Sequence, residues 1–270
     1  MSSLNLSASK GPQRIICLTE EPTELLYALG ESERIVGISA YTLRPPQAKQ
    51  DKAIVSAFID GSVHKIKALK PDLVIGFSDI QAKLASELIA ANLQVIIFNQ
   101  RSIQEILNTI LDISRLVAAP QRGLALVAQY QHNLERIAEQ AAQRSYRPRV
   151  YFEEWDEPTI CGIHWVSELL EIAGADDVFK ARARGKSAKE RFISEQELLT
   201  ADPELIFACW CGKPFDREAF LKRPPIAQLR AAQDNQIYEV PPEIILQPGP
   251  AALTDGINFL EKKIRALSRR

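Results

Sequence analysis

The chain has 270 residues, 46% of them hydrophobic and 25% charged, with 33 basic and 34 acidic side chains that nearly cancel. That is enough chain for one large domain or two lobes with proper cores, and without a basic block it argues against nucleic acid as a partner. No apolar stretch is long enough to span a bilayer. The Ser-rich segment 1–13 reads as a disordered tail without a signal-peptide core, which places the chain as written in the cytoplasm, or in the periplasm or at the cell surface if the start codon is misassigned.

From Arg14 onward, short β-branched runs alternate with amphipathic stretches. Strands are expected at Arg14 to Leu18, Ile35 to Ile38, Leu73 to Phe77 and Val95 to Phe98. Helices are expected at Pro22 to Leu29, Val63 to Leu69, Ile80 to Ala91 and Ile103 to Val117, the last opening on Ser102 and Glu105 at capping-box spacing. Such alternation predicts a mostly parallel sheet covered on both faces.

Between Gln121 and Arg144, Leu124, Val127, Tyr130, Leu134, Ile137 and Ala141 recur every three or four residues. This predicts one long helix of roughly 35 Å. Strand patterns resume at Val150 to Phe152, Leu205 to Cys209 and Ile237 to Val240. The organisation is thus α/β, with two Rossmann-like lobes of mostly parallel sheet, residues 14–118 and 147–270, joined by a backbone helix over 119–146.

The lobes echo each other. Thr23-Glu24-Leu25-Leu26 runs to Leu29-Gly30 as Ser167-Glu168-Leu169-Leu170 runs to Ala173-Gly174, and Lys70-Pro71-Asp72-Leu73 is answered by Asp202-Pro203-Glu204-Leu205. Open α/β sheets bind ligands at the carboxyl ends of their strands, so a cleft between two such lobes would be lined by strand-end loops.

Those loops hold Tyr41, Phe58 and Phe77 in the first lobe and Trp155, Trp165, Trp210 and Gln247 in the second, including all three tryptophans of the chain. Together they suggest a wall for a flat apolar ligand, although any one tryptophan could simply close its own lobe's core. Cys161, His164, Cys209 and Cys211 carry donor types suited to a soft metal, but the C-x-C spacing is weak and free thiols are the default. The acidic run Glu153, Glu154, Asp156 and Glu157 could serve acid-base chemistry or cation binding, or be a solvated strand end. Arg182, Arg184, Lys186, Lys189 and Arg191 form a basic stretch that could meet anionic ligand groups or lie in solvent. His64 and His132 read as solvent-facing. No nucleophile elbow, phosphate loop, glycine fingerprint or zincin motif is present, so no enzyme class has a positive signal.

With these residues in view, the chain resembles, from about Arg14 to Ile264, the helical-backbone class of substrate-binding proteins that serve ABC importers of cobalamin and iron siderophores. The resemblance lies in Arg14 to Leu18 through Thr23-Glu24-Leu25-Leu26 to Gly30, in Leu69-Lys70-Pro71-Asp72-Leu73-Val74-Ile75, and in Ser167-Glu168-Leu169-Leu170 to Gly174. Val36 to Tyr41 followed by Pro45-Pro46-Gln47-Ala48 is similar to the cobalamin-binding members. The resemblance implies two rigid lobes, no catalysis, and a corrinoid held in the cleft without a covalent cofactor. Tyr41 matches an aromatic of the corrin wall, Phe58 and Phe77 stand where relatives have tryptophan, and His164 is a speculative axial ligand to the metal. It also implies a monomer that hands its cargo to an ABC permease. Here the chain departs from the pattern: the nearest matches to the docking carboxylates are His64 and, weakly aligned, Glu218. The alternatives are binding of a ferric siderophore or haem, or an enzyme acting on a metal or tetrapyrrole through Cys161, His164, Cys209 and Cys211.

Overall fold

The computed structural model describes residues 10–268, so the greater part of the segment read as a disordered tail lies outside the described residues. The chain divides into two compact units. The first runs to Gln100 and includes Leu107–Val127; the second comprises Arg101–Ile106 and Ala128 onward.

Unit 1 contains β1 (Ile15–Cys17), α1 (Glu20–Ala28), β2 (Ile35–Ser39), β3 (Ala53–Ser56), β4 (Leu73–Phe77), α2 (Ala82–Ala90) and β5 (Val95–Phe98). The sheet order is β3-β2-β1-β4-β5 and every pairing is parallel. Its central strands are continuous apolar runs because both faces are covered: β1 and β4 are buried at every position. Ile16, Leu18, Val55, Ile66, Val74, Leu84 and Leu88 pack together on one side of it. β3, which the sequence pattern does not signal, is a four-residue edge strand with Ile54 exposed.

Two helices follow, α3 (Ile103–Leu116) and α4 (Pro120–Ala142), separated at Ala118, whose φ is 57°. The long helix expected over 121–144 is α4, and Val127, Tyr130, Leu134, Ile137 and Ala141 are its buried positions. Leu124, expected on the same apolar face, is instead exposed.

Unit 2 contains β6 (Arg149–Asp156), β7 (Thr159–Cys161), α5 (His164–Ile172), β8 (Asp176–Asp177), β9 (Leu205–Ala208), β10 (Ile237–Glu239) and α6 (Ile257–Leu267). Its sheet runs β10-β9-β6-β7, with β8 also paired to β6. The β7 pairing is antiparallel and the others are parallel. This α/β architecture with parallel sheets in two lobes is the one the residue pattern implies.

The echoed motifs share a backbone conformation. Lys70 and Asp202, each directly before a proline, both take positive φ, at 47° and 37°. The acidic residue two positions on then accepts the backbone N–H at the start of a neighbouring strand. Asp72 accepts from Arg14 in unit 1, and Glu204 accepts from Arg149 in unit 2, both at 2.9 Å.

Candidate functional site

In unit 1 two buried side chains organise the loops at the carboxyl edge of the sheet. Glu20, in the first turn of α1, accepts the backbone N–H groups of Leu43 at 2.8 Å and Arg44 at 3.0 Å, which fixes the loop after β2. An anionic carboxylate is favoured there by the helix N-terminus. Glu24, one turn on, takes the Arg44 Nε at 2.9 Å.

Gln81, fully buried, ties the remaining loops together. Its Oε1 accepts from Phe77 N at 3.0 Å, and its Nε2 donates to Phe58 O at 2.7 Å and Leu18 O at 3.4 Å, so one amide joins the ends of β1, β3 and β4. Gly76 makes room for it, since a Cβ at that position would lie 2.4 Å from Oε1. Sequence reasoning missed Gln81 because its partners are up to 63 residues away and all are backbone groups.

The loops so fixed display apolar side chains to the outside. Tyr41 and Leu43 follow β2, Ile59 follows β3 and Ile80 follows β4, and each is about half exposed. Phe58 beside them is half-buried. Leu43, Ile59 and Ile80 were not among the candidates, and their signal was simply an aliphatic residue in a strand-end loop. Phe77 corrects the expectation of a wall residue: as the last residue of the fully buried β4 it is only 6% exposed.

Glu21, next to Glu20, faces inward. Thr19 Oγ1 donates to its Oε1 at 2.8 Å, while its Oε2 is buried without a hydrogen-bond partner. Burial pushes this carboxyl up to about 7, against the pull of its own backbone N–H and the Thr19 hydroxyl.

In unit 2 three carboxylates of the acidic run at the end of β6 are each paired with a cation. Glu153, fully buried, takes Arg223 at 2.6 Å, the Tyr151 hydroxyl at 3.1 Å and the Trp210 indole N–H at 3.3 Å. Glu154 holds Arg191 through two bonds, at 2.6 and 2.8 Å. Asp156 pairs with Lys213 at 2.5 Å. The basic stretch is similarly committed in part: Arg191 is buried and also donates to Cys161 O, and Arg182 reaches Glu197 and Phe192 O. Arg184 and Lys186 are exposed.

The tryptophans separate. Trp165 is 2% exposed in α5 and donates its indole N–H to Ile245 O at 2.9 Å, so it closes the core of its own unit and does not form an open wall. Trp210 is also buried, against Phe215 and Phe220. Trp155 is half-buried and is held by its indole N–H to Glu157 O at 2.9 Å. Gln247 is buried in the loop that follows β10.

The cysteines are free thiols, which was the default reading. Cys161 in β7 and Cys209 at the end of β9 point into the core and Cys211 is exposed. Burial pushes the Cys161 thiol up to about 12 and that of Cys209 well above its ordinary range, so both rest as protonated thiols. Among the described residues, no group of three or more His, Cys, Asp or Glu side chains is placed to hold a metal ion. His164 opens α5, 3.9 Å from Glu168, and lines a cavity of about 480 Å³ with Gln104, Glu171, Lys180 and Arg184. His64 and His132 are exposed, as expected.

Comparisons with known proteins agree with this architecture. The chain is 25% identical over 245 residues to a vitamin B12-binding protein of Vibrio cholerae, covering 89% of this chain and 85% of that one. It is 24% identical over 272 residues to an uncharacterized ABC transporter substrate-binding lipoprotein of Bacillus subtilis, covering 97% and 83%. Among solved structures, the periplasmic vitamin B12-binding protein BtuF of Vibrio cholerae superposes with a TM-score of 0.75 at 23% identity, covering 96% and 99%. A periplasmic heme-binding protein of Pseudomonas aeruginosa does so with a TM-score of 0.81 at 22% identity, covering 94% and 92%. The sequence profile described as periplasmic binding protein matches residues 15–244, and the chain therefore belongs to the periplasmic binding protein family.

Proposed function

We propose that this chain is the substrate-binding component of an ABC-type import system, that it works outside the cytoplasmic membrane, and that its cargo is a corrinoid of the cobalamin type. The observation that carries this reading is the apolar rim of unit 1. Tyr41, Leu43, Ile59 and Ile80 stand about half exposed on loops that Glu20 and Gln81 hold rigidly. Aliphatic and aromatic groups kept open to solvent at the carboxyl edge of a parallel sheet suit a large, flat, largely apolar face. The polar backbone of the same loops can meet peripheral amides.

Tyr41 and Phe58 are the ring contacts that unit 1 supplies in this reading. Binding involves no chemistry, and a membrane permease receives the cargo. The vitamin B12-binding relatives support the ligand, and the relative named as a lipoprotein supports a location outside the cytoplasm rather than within it.

A ferric siderophore or haem is the second reading. The exposed Arg184 and Lys186 favour it, since cations held in solvent can meet carboxylates or catecholates.

The test is a tryptophan-fluorescence titration with cyanocobalamin, haemin and a ferric siderophore in parallel. Saturable, stoichiometric quenching by cyanocobalamin is expected. Binding of haemin or the siderophore alone, weakening steeply with salt, would replace the first reading by the second.

A further inference from the structure

The acidic run at the end of β6 contains three ion pairs of unequal permanence. Arg223 on the fully buried Glu153 and Arg191 on Glu154 are fixed, because each guanidinium makes further hydrogen bonds, to Thr159 and to Cys161 O. Arg191 is itself only 5% exposed, so removing it would strand a carboxylate. The third pair differs. Lys213 is 44% exposed and lies in the exposed segment 211–214, and its ammonium is its only attachment to Asp156.

That ammonium also lies over two indoles, 4.9 Å from the Trp210 ring centre and 5.7 Å from that of Trp155. Both distances fall within the range of cation–π attraction. Each indole is locked by its own N–H, Trp155 to Glu157 O and Trp210 to Glu153, so the ring faces are presented and not merely passing. Asp156 uses only one oxygen for Lys213; its Oδ1 is buried without a hydrogen-bond partner.

From this we infer that Asp156, Trp155 and Trp210 form a site for an alkylammonium group, which Lys213 of the same chain occupies as an exchangeable plug. Two ring faces and a carboxylate are the elements that recognise an organic cation. The carboxylate oxygen that now takes the Lys213 ammonium favours a primary ammonium, with N–H groups to donate, over a quaternary one, which has none. Lys213 is tethered beside the site, so it competes at the high effective concentration of an intramolecular ligand. An incoming ammonium takes its place and leaves Lys213 in solvent.

The experiment compares wild type, Lys213→Ala and the double variant Lys213→Ala/Asp156→Asn by indole fluorescence and thermal melting. Methylammonium chloride and tetramethylammonium chloride are titrated against sodium chloride at equal ionic strength. Lys213→Ala is expected to respond saturably to methylammonium and to melt higher in its presence, with wild type binding roughly ten-fold or more weakly because the tethered competitor remains. Tetramethylammonium should bind the variant more weakly than methylammonium, and the double variant should lose the response. Absence of a saturable methylammonium effect in a folded Lys213→Ala protein would overturn the inference, as would an effect unchanged by Asp156→Asn. Lys213→Met, which keeps the apolar stem over the rings, should stay closed to methylammonium relative to Lys213→Ala; equal binding by the two would also count against the plug.

Discussion

Arg14 and Arg149 hold equivalent positions in two different sheets. Each donates its backbone N–H at 2.9 Å to the acidic residue of a proline motif, Asp72 or Glu204. Each also turns its guanidinium onto a carbonyl at the end of the helix that leads into its proline motif, Val63–Ala68 or Glu195–Ala201. Arg14 reaches Leu69 O at 2.6 Å, and Arg149 reaches Ala201 O at 2.6 Å. The lysine–proline–aspartate signature and its counterpart are thus devices that register the first strand of a unit against a later one. Asp72→Ala removes acceptors for both Gln13 N and Arg14 N and should cost about 1 kcal/mol, read by urea unfolding, because these groups remain partly wet.

Gln81 should be costlier to lose. Gln81→Ala leaves the Phe77 N–H and the Phe58 O without their buried partner, at about 1 to 3 kcal/mol. It should weaken ligand binding as well, since the loops bearing Phe58, Ile59 and Ile80 lose a common support. Gly76→Ala should be destabilising in wild type and less so in the Gln81→Ala background, where the Oε1 at 2.4 Å is gone and Ile97 Cδ1, at 2.8 Å, must still give way. Equal penalties in both backgrounds would contradict this packing.

Glu21 gives stability an unusual pH dependence. Its carboxyl holds a proton more tightly when folded, at about 7, than at its ordinary value of 4.5, because burial disfavours the charge and Glu20 and Glu24 add repulsion. Between those values the native state binds more protons than the unfolded chain, so this group's contribution falls as pH rises from about 4.5 to 7 and stays low above it. Glu21→Gln should flatten that slope and raise the melting temperature at pH 8, with a gain of about 3 kcal/mol at most. The comparison of melting curves at pH 5 and pH 8 decides it; a variant that gains nothing at pH 8 would show that the site is wetter than its burial implies.

Tyr41→Ala should leave stability nearly unchanged, as a half-exposed residue should, and weaken cyanocobalamin binding by about 1 to 3 kcal/mol. An unaltered dissociation constant would remove the unit 1 rim from the ligand surface.

Arg223→Met tests the opposite kind of residue. It leaves Glu153 fully buried with only the Tyr151 and Trp210 donors, and should destabilise by about 3 kcal/mol or more. Glu153→Gln in the same background should recover part of that loss, measured by chemical denaturation.

Most of the architecture was legible because it rests on local periodicity: the buried runs of β1, β4 and β9, the i, i+3, i+4 face of α4, and helix ends marked by Gly30 and Gly174. Three strands escaped for a common reason. β3 is short and half exposed, β7 has three residues in a hairpin and β8 has two residues, so none shows a pattern of its own. The candidate site was legible by place more than by residue. Strand-end loops are readable, but whether a ring there stays open depends on what covers the sheet. Phe77 ends β4, which is covered on both faces, while Trp165 was drawn into the core by the helix that carries it. The long-range contacts of Gln81, Lys213 and Arg191 span 23 to 63 residues in sequence, which no window of neighbouring residues contains.

The paired arginine contacts bear on how the chain folds. Arg14 and Asp72 are 58 residues apart, and Arg149 and Glu204 are 55 apart. Closure entropy grows only with the logarithm of loop length, so bringing either pair together costs nearly the same. Chain topology gives neither unit a kinetic lead at this step. During synthesis the order is then set by emergence, and unit 1 can register its sheet while most of unit 2 has yet to be made.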